Sequence, residues 1–346
     1  MKKIVLTGGG TAGHVTPNIA LLPALQAAGY EIAYVGSYEG IEKKLIADFN
    51  IPYTGISTGK FRRYLDPKNF SDPFRVMKGF VEARNYLKNY QPDVVFSKGG
   101  FVSVPVVRAA ASLHIPCIIH ESDMTPGLAN KLCIPVAEKV CCNFPETMKN
   151  IPADKAVLTG SPIRAELAQG SRLAGLNMCG FTANKPVIMV IGGSLGAANV
   201  NKAVRDALPK LLEDFQVVHL CGKDKIDNLL LNTPGYKQFE YIKAELKDIF
   251  AMADVVISRA GANAICELLA LKKPNILIPL PAASSRGDQL LNAASFEAQG
   301  YSIVLNEDDI TTNLLVDKVH ELYFNRQNYV EAVSYTHLRA HETPEH

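Results

Sequence analysis

No uninterrupted apolar run in this chain of 346 residues reaches the ~18–20 residues that span a bilayer. The amino-terminal MKKIVLTGGG carries two lysines, but its apolar stretch stops after three residues, so it reads as a first strand and not as a secretory signal. Neither sign of charge is in excess. Lys plus Arg number 36 against 34 Asp plus Glu, a net charge of +2, which gives no whole-chain signal for nucleic acid while leaving room for a local patch. No C-x-x-C pair occurs among the seven cysteines (117, 133, 141, 142, 179, 221 and 266). Cys117, Cys141 and Cys221 sit in apolar, strand-like runs. Buried reduced thiols in a reducing compartment are therefore expected, not metal ligands or a disulfide framework. The protein is expected in the cytosol, or at most on a membrane surface.

What is present is the composition of a globular enzyme, with 47% hydrophobic and 20% charged residues, 25 Gly and 20 Pro. The length suits two domains of roughly 150 residues. Short β-branched runs at 4–7, 32–36, 94–97, 117–120 and 139–142 alternate with helix-length amphipathic segments such as 18–28 and 102–113. The second half repeats the pattern, with runs at 187–191, 216–220, 255–258 and 275–279 and helices at 197–212, 262–271 and 288–299. Alternation of this kind predicts parallel sheets wound on both faces. Each half opens with an apolar strand, a glycine loop and a helix: IVLTGGGTAGH at 4–14 and VIMVIGGSLGA at 187–197. The fold class is thus α/β, two Rossmann-like domains facing across a cleft. The expected divisions are 1–161, 162–333, and a non-native or disordered tail at 334–346. Ligands of such sheets bind beyond the carboxyl ends of the strands.

The first loop, Gly8-Gly9-Gly10-Thr11-Ala12-Gly13-His14, satisfies the dinucleotide spelling G-x-G-x-x-G. A dinucleotide fold also needs an acid at the end of the second strand, about 20 residues on, to hold the ribose. Here that strand ends in Gly36-Ser37, and a nicotinamide cofactor becomes unsupported. His14 falls at the positive end of a helix placed to start near Thr16-Pro17. That position favours neutral imidazole, a candidate general base or a donor to phosphate, against the alternative of a purely structural histidine. The loop Gly192-Gly193-Ser194-Leu195-Gly196-Ala197 reads as a second oxyanion cradle. Strand, glycine turn and helix recur at Ser258–Glu267, where Glu267 either accepts ribose hydroxyls or is a solvated helix acid. Ser284-Ser285-Arg286-Gly287-Asp288-Gln289, with Asn292, forms a polar cluster able to grip sugar hydroxyls.

Seven segments in order, GGGTAGHVTP (8–17), SKGGFVSVP (97–105), HES with GLANK (120–131), GSPIR (160–164), GGSLGA (192–197), SRAGANAICE (258–267) and GDQLLNA (287–293), resemble the MurG family of peptidoglycan glycosyltransferases. The resemblance covers about residues 4–325. It implies the GT-B architecture, with acceptor on the first half and nucleotide sugar on the second. The implied reaction is inverting, metal-independent transfer of N-acetylglucosamine from UDP-N-acetylglucosamine to lipid I, giving lipid II, with no cofactor. No D-x-D motif that would hold a metal is present. By position, Arg164, Ser194, Ile242, Glu267 and Gln289 match residues around the donor, with Asp288 and Asn292 near its sugar and Thr11 and Gly13 contributed by the first loop. His14, the expected catalytic base, Glu121 and Asn130 match sensitive positions on the acceptor side, where Lys98 and Phe101 are also placed. After about Val333 the chain departs from the family, whose C-terminal helix packs back on the N-terminal domain. The alternatives are another GT-B UDP-sugar transferase with a different lipid or small-molecule acceptor, a nicotinamide oxidoreductase, and a silent sugar-nucleotide-binding protein.

A lipid acceptor requires a membrane contact. Residues 60–88 hold eight basic residues against Asp66, Asp72 and Glu82, so this stretch alone is +5. Within it Phe74, Met77 and Val81 share one helical face, Phe80 lies beside them, and Arg75 and Lys78 flank them. Such a helix suits an anionic bilayer and a peripheral location on the cytoplasmic face of the cell membrane. A core-facing helix with an ordinary solvated side is the alternative.

Overall fold

A computed structural model describes residues 1–59, 68–193, 196–282 and 287–340, the side chains of 68–73 and 335–340 apart. The chain divides into two compact units, Met1–Arg164 and Ala165–His346. In the first, the elements run β1 (Lys2–Thr7), α1 (Ala12–Ala27), β2 (Tyr30–Ser37), α2 (Ile41–Ile46), β3 (Tyr53–Ile56), α3 (Lys68–Tyr90), β4 (Val94–Ser97), α4 (Ser103–Ser112), β5 (Cys117–Glu121), α5 (Leu128–Cys133), β6 (Lys139–Cys142), α6 (Pro145–Met148) and β7 (Ala156–Leu158). They build a seven-stranded parallel sheet of order β3-β2-β1-β4-β5-β6-β7. Alternate residues of β1 go to opposite faces, and both faces are apolar. Val5 joins a cluster with Val35, Val95 and Ile119, while Ile4 and Leu6 pack with Ile32 and Tyr34. Double-sided burial is why these strands read as continuous apolar runs.

The second unit follows the same logic with α7 (Arg172–Cys179), β8 (Val187–Ile191), α8 (Ala198–Asp214), β9 (Gln216–Leu220), β10 (Tyr236–Phe239), α9 (Leu246–Met252), β11 (Val255–Ser258), α10 (Ala262–Ala270), β12 (Asn275–Leu277), α11 (Asp288–Ala298), β13 (Ser302–Val304), α12 (Thr312–Phe324) and α13 (Arg326–Ala340). Its six strands lie in the order β10-β9-β8-β11-β12-β13. Two Rossmann-like parallel units are what the sequence predicts.

Both orders reverse once, between β1 and β4 and between β8 and β11, and at such a switch point the loops diverge to open a crevice. Register fixes which loops meet there. Thr7 pairs with Ser97, so the segments beginning at Gly8 and Lys98 leave the sheet side by side. Ile191 pairs with Ser258, which does the same for those beginning at Gly192 and Arg259.

Three details differ from expectation. Helix α1 starts at Ala12 after an extended Thr11, not at Thr16-Pro17, and Pro17 and Pro23 lie inside it. Pro17 forgoes the bond back to Gly13 and Pro23 the bond back to Ile19, local losses in a helix of 16 residues. The units divide after Arg164, three residues beyond the joint read from the sequence. Helix α13 runs on to Ala340, across the start of the segment expected to be structureless. No glycine or proline interrupts it before Pro344, so backbone chemistry does not stop it. Residues 341–346 lie outside the described residues.

Candidate active site

The first unit's switch point is built from two glycine segments pressed together. Gly9 N–H donates to the Gly99 carbonyl at 3.3 Å, and a Cβ on Gly100 would stand 2.2 Å from the Gly9 carbonyl oxygen. Gly10, Gly99 and Gly100 all have positive φ (84°, 95° and 87°), a conformation that side chains resist. His14 sits three residues into α1, in its first turn, and its Nδ1 lies 3.1 Å from the Lys98 carbonyl oxygen. A carbonyl can only accept, so Nδ1 carries the proton, and in the neutral ring Nε2 is the basic nitrogen. Thr11 and Gly13, on the same turn, are exposed.

Asn130 and Glu121 form the other wall. The Asn130 amide nitrogen donates to the His120 carbonyl (3.1 Å) and to Glu121 Oε2 (2.8 Å). Glu121 also accepts from the N–H groups of Asp123 and Gly127, both at 3.0 Å, and so ties down the turn after β5. With its nitrogen committed, Asn130 presents a buried Oδ1 that has no hydrogen-bond partner. A Cβ built on Gly99 would be 3.5 Å from that oxygen and 3.6 Å from His14 Nδ1, so Gly99 is where the two side chains converge.

Lys98, expected to meet the acceptor, turns inward instead. It is 1% exposed, and its ammonium donates to His120 Nδ1 and to Ser122 Oγ, both at 2.7 Å. His120 passes its Nε2–H to the Gly160 carbonyl at 2.8 Å. Burial, reinforced by the Lys98 charge, holds this imidazole neutral, with a pKa down at about 3. Lys98 bears on the site through its carbonyl, which fixes His14.

Sequence reasoning missed Glu42. This fully buried carboxylate accepts from Gly10 N–H (3.1 Å), Ser37 N–H (2.9 Å) and the Ser37 hydroxyl. A Cβ on Gly9 would meet its carboxyl carbon at 2.5 Å. Tyr34 adds a hydroxyl bond to the Gly8 carbonyl at 2.7 Å, and Asn18 donates to the Thr7 carbonyl at 3.1 Å. The loop is thus held from beneath by three buried polar side chains.

In the second unit, Gly193 has a φ of +84°, and a Cβ on Gly196 would stand 1.9 Å from the Cys221 carbonyl oxygen. Helix α8 follows, and its N-cap residue Ala197 makes no side-chain hydrogen bond to the first turn. Ser194 and Leu195, and the expected sugar-gripping Ser284, Ser285 and Arg286, lie outside the described residues. The expected donor residues on α11 are tied to the loops after β11 and β12. Asn292 donates to the Ala260 carbonyl (3.3 Å), and Gln289 Oε1 accepts from Leu280 N–H (3.1 Å). Asp288 opens α11 after Gly287 in the left-handed region. Arg259 is spent on the protein: it pairs with Glu307 and donates to the carbonyls of Ile278 (3.1 Å) and Pro279 (3.2 Å). Glu267 is half-buried two turns into α10, Ile242 is buried, and Arg164 is the last residue of the first unit.

Among the described residues no three His, Cys, Asp or Glu side chains gather as a metal site requires. All seven cysteines are free, and burial pushes the Cys117 thiol up to about 12. On α3, Phe74 and Met77 are 78% and 64% exposed and Val81 is also exposed, beside exposed Arg75 and Lys78, whereas Phe80 packs against the core.

Two parallel units with glycine loops at both switch points define the class, a GT-B-type glycosyltransferase fold. Residues 4–142 match the glycosyltransferase family 28 N-terminal domain and residues 187–342 its C-terminal domain, and the chain belongs to that family. Within it the chain is a MurG-family member. It is 66% identical over 330 residues to the UDP-N-acetylglucosamine–N-acetylmuramyl-(pentapeptide) pyrophosphoryl-undecaprenol N-acetylglucosamine transferase of Lachnospira eligens, covering 95% of this chain and 93% of that one. The Lachnoclostridium phytofermentans transferase of the same name is 65% identical over 96% of this chain and 94% of its own. The crystal structure of Acinetobacter baumannii MurG superposes with a TM-score of 0.74 at 28% identity, covering 96% of this chain and 94% of that one.

Proposed function

We infer that this protein transfers N-acetylglucosamine from UDP-N-acetylglucosamine to the muramyl hydroxyl of lipid I, forming lipid II for peptidoglycan synthesis. The observation that carries the inference is the 66% identity to the Lachnospira eligens transferase across 95% of the chain. The geometry around His14 supports the following mechanism. His14 Nε2 takes the proton of the acceptor hydroxyl as its oxygen attacks the anomeric carbon in line. The bond to the diphosphate breaks on the opposite face and UDP leaves. A positioned base of this kind contributes typically ~10²–10⁴ in rate. The N-terminus of α8, with the Gly192–Gly193 backbone, stabilises the charge growing on UDP. Asn130 Oδ1, a buried acceptor without a partner beside His14, is the group that orients the incoming hydroxyl or its neighbours. Glu267, Gln289, Asp288 and Asn292 hold the ribose and the sugar, with Arg164, Ile242, Thr11 and Gly13 completing the donor set.

The acceptor is membrane-borne, and among the described residues no helix is long and apolar enough to cross a bilayer. The exposed α3 face, with Phe74, Met77 and Val81 between Arg75 and Lys78, supports peripheral docking on the anionic cytoplasmic face. The decisive assay is UDP release with a lipid I analogue, against diacylglycerol and macrolide acceptors, for wild type and His14→Ala. Turnover confined to the lipid I analogue, with kcat lost and UDP affinity kept in the variant, is expected. Near-normal turnover by the variant removes His14 as the base, and preference for another acceptor removes the substrate assignment.

A further inference from the structure

The first unit carries an apolar groove of about 420 Å³ that the chemistry at His14 does not use. That volume falls within the ~300–1,000 Å³ of sites that bury whole ligands. Met77 and Phe80 of α3, Val104 of α4, Leu128 and Leu132 of α5, and Phe101 line it. Among the described residues Arg108 supplies the one charged lining group, and it spends a guanidinium N–H on the Leu132 carbonyl at 2.5 Å, which ties α4 to α5. Among the described lining residues a polar ligand would find little to bond to. Several lining side chains, Met77, Leu128 and Leu132 among them, stand exposed, an apolar surface that calls for an occupant.

The chain connects this groove to the acceptor residues. Phe101 follows Gly99-Gly100 directly, and Leu128-Ala129 run straight into Asn130. The two segments that bring His14 and Asn130 together at Gly99 are therefore the same two that contribute Phe101, Leu128 and Ala129 to the groove lining. At the other end Met77 belongs both to the groove and to the exposed α3 face that carries Phe74, Arg75 and Lys78. The groove lining is thus continuous in the chain with the acceptor residues on one side and shares Met77 with the basic, apolar surface on the other. A ligand following this path would be apolar along the groove with its polar end beside His14 and Asn130.

Resting on the function inferred above, we propose that the groove binds the head-proximal isoprene units of the acceptor's undecaprenyl chain, so that the enzyme recognises its lipid and does not merely touch the bilayer. The test plugs the groove with Val104→Phe and, separately, with Leu132→Trp at an exposed position that tolerates bulk. Rates are measured with two acceptors of identical diphospho-muramyl-pentapeptide head group, one bearing an undecaprenyl chain and one a single isoprene unit. In an apolar pocket one methylene is worth ~10–200-fold in discrimination. Each plug should therefore raise KM for the long-chain acceptor at least about tenfold. The short-chain acceptor, the KM for UDP-N-acetylglucosamine and binding to anionic vesicles should stay unchanged. Equal effects on both acceptors, or no effect on either, overturn the groove. Loss of vesicle binding in step with activity makes it part of the bilayer contact or a seat for a phospholipid acyl chain, and also overturns it. If wild type turns over neither acceptor, the function itself fails and the groove with it.

Discussion

Glu42→Gln isolates the support beneath the first glycine loop, because it removes charge and one acceptor oxygen while keeping the side chain's shape. The carboxylate is surrounded by donors: Gly10 N–H, Ser37 N–H and the Ser37 hydroxyl. A glutamine amide offers one oxygen, and its NH₂ must then face an N–H or O–H. Hydrogen bonds to a charged group contribute ~1.5–3 kcal/mol against ~0.5–1.5 for neutral ones, and a buried donor left unpaired costs ~1–3 kcal/mol. One unpaired donor plus weakened remaining bonds amounts to about 2–5 kcal/mol. At ~2–4 °C per kcal/mol for a domain of this size, Tm of the first unit should fall by about 4–20 °C. The same loop leads into the first turn of α1, so kcat/KM for the lipid acceptor should fall about tenfold or more while the donor KM holds. Thermal unfolding by circular dichroism and initial rates on folded protein below the transition check both. A variant within a degree or so of wild-type Tm and with wild-type kcat/KM would refute the claim that this carboxylate organises the loop.

Glu267→Ala should raise the KM for UDP-N-acetylglucosamine with kcat little changed, and an unchanged KM in steady-state assays removes it from the ribose. Reversing charge at Arg75 and Lys78 to Glu should weaken binding to anionic vesicles at least tenfold, from ~1 kcal/mol per basic residue near such a surface; intact vesicle sedimentation would place the patch elsewhere. Burial holds His120 and His219 down at about 3 in the folded protein, against 6.5 for the free side chain. The unfolded chain therefore binds protons that the folded one does not, and stability, complete above about 6.5, should fall toward pH 3 by up to ~1.4 kcal/mol per pH unit per histidine; equal urea midpoints at pH 7.5 and pH 5 would contradict this.

The strands legible in the sequence are the nine with neighbours on both sides. The four that escaped, β3, β7, β10 and β13, are the four sheet edges. An interior strand of a parallel sheet is covered on both faces and spells a run such as VIMVI, whereas an edge strand is half-wetted. Thus β7, with Val157 and Leu158 exposed, and β10, reading YKQF with an exposed lysine, carry no such run. The site divides in a similar way. Glu121 and Asn130 are nine residues apart and lie in one recognisable stretch. Glu42 reaches Gly10 across 32 residues and His120 reaches Gly160 across 40, and neither pairing leaves a local signal. The inward turn of Lys98 was equally hidden, since only the fold sets His120 and Ser122 around its ammonium.

Glu42 also changes the reason for setting aside a dinucleotide at Gly8–Gly13. The sequence shows no acid at the end of the second strand, yet a carboxylate does reach that point. Helix α2 begins four residues after Ser37 and brings Glu42 back onto the Ser37 N–H and hydroxyl. In a dinucleotide fold an acid there accepts the ribose hydroxyls. Here both oxygens are already engaged by the protein, one by Ser37 and the other by Gly10. A fully buried acceptor with both oxygens engaged by internal donors has nothing to offer a ribose, and turning it outward would abandon those donors. The second unit spends an acid in the same way: Glu307 pairs with Arg259 at the end of β11 and accepts from Asn199 in the first turn of α8 at 2.6 Å. In each half a carboxylate distant in sequence fastens the switch-point loops to the scaffold. Both carboxylates are thereby committed to internal donors, and the glycine-loop backbone beside them is held in place by buried charge.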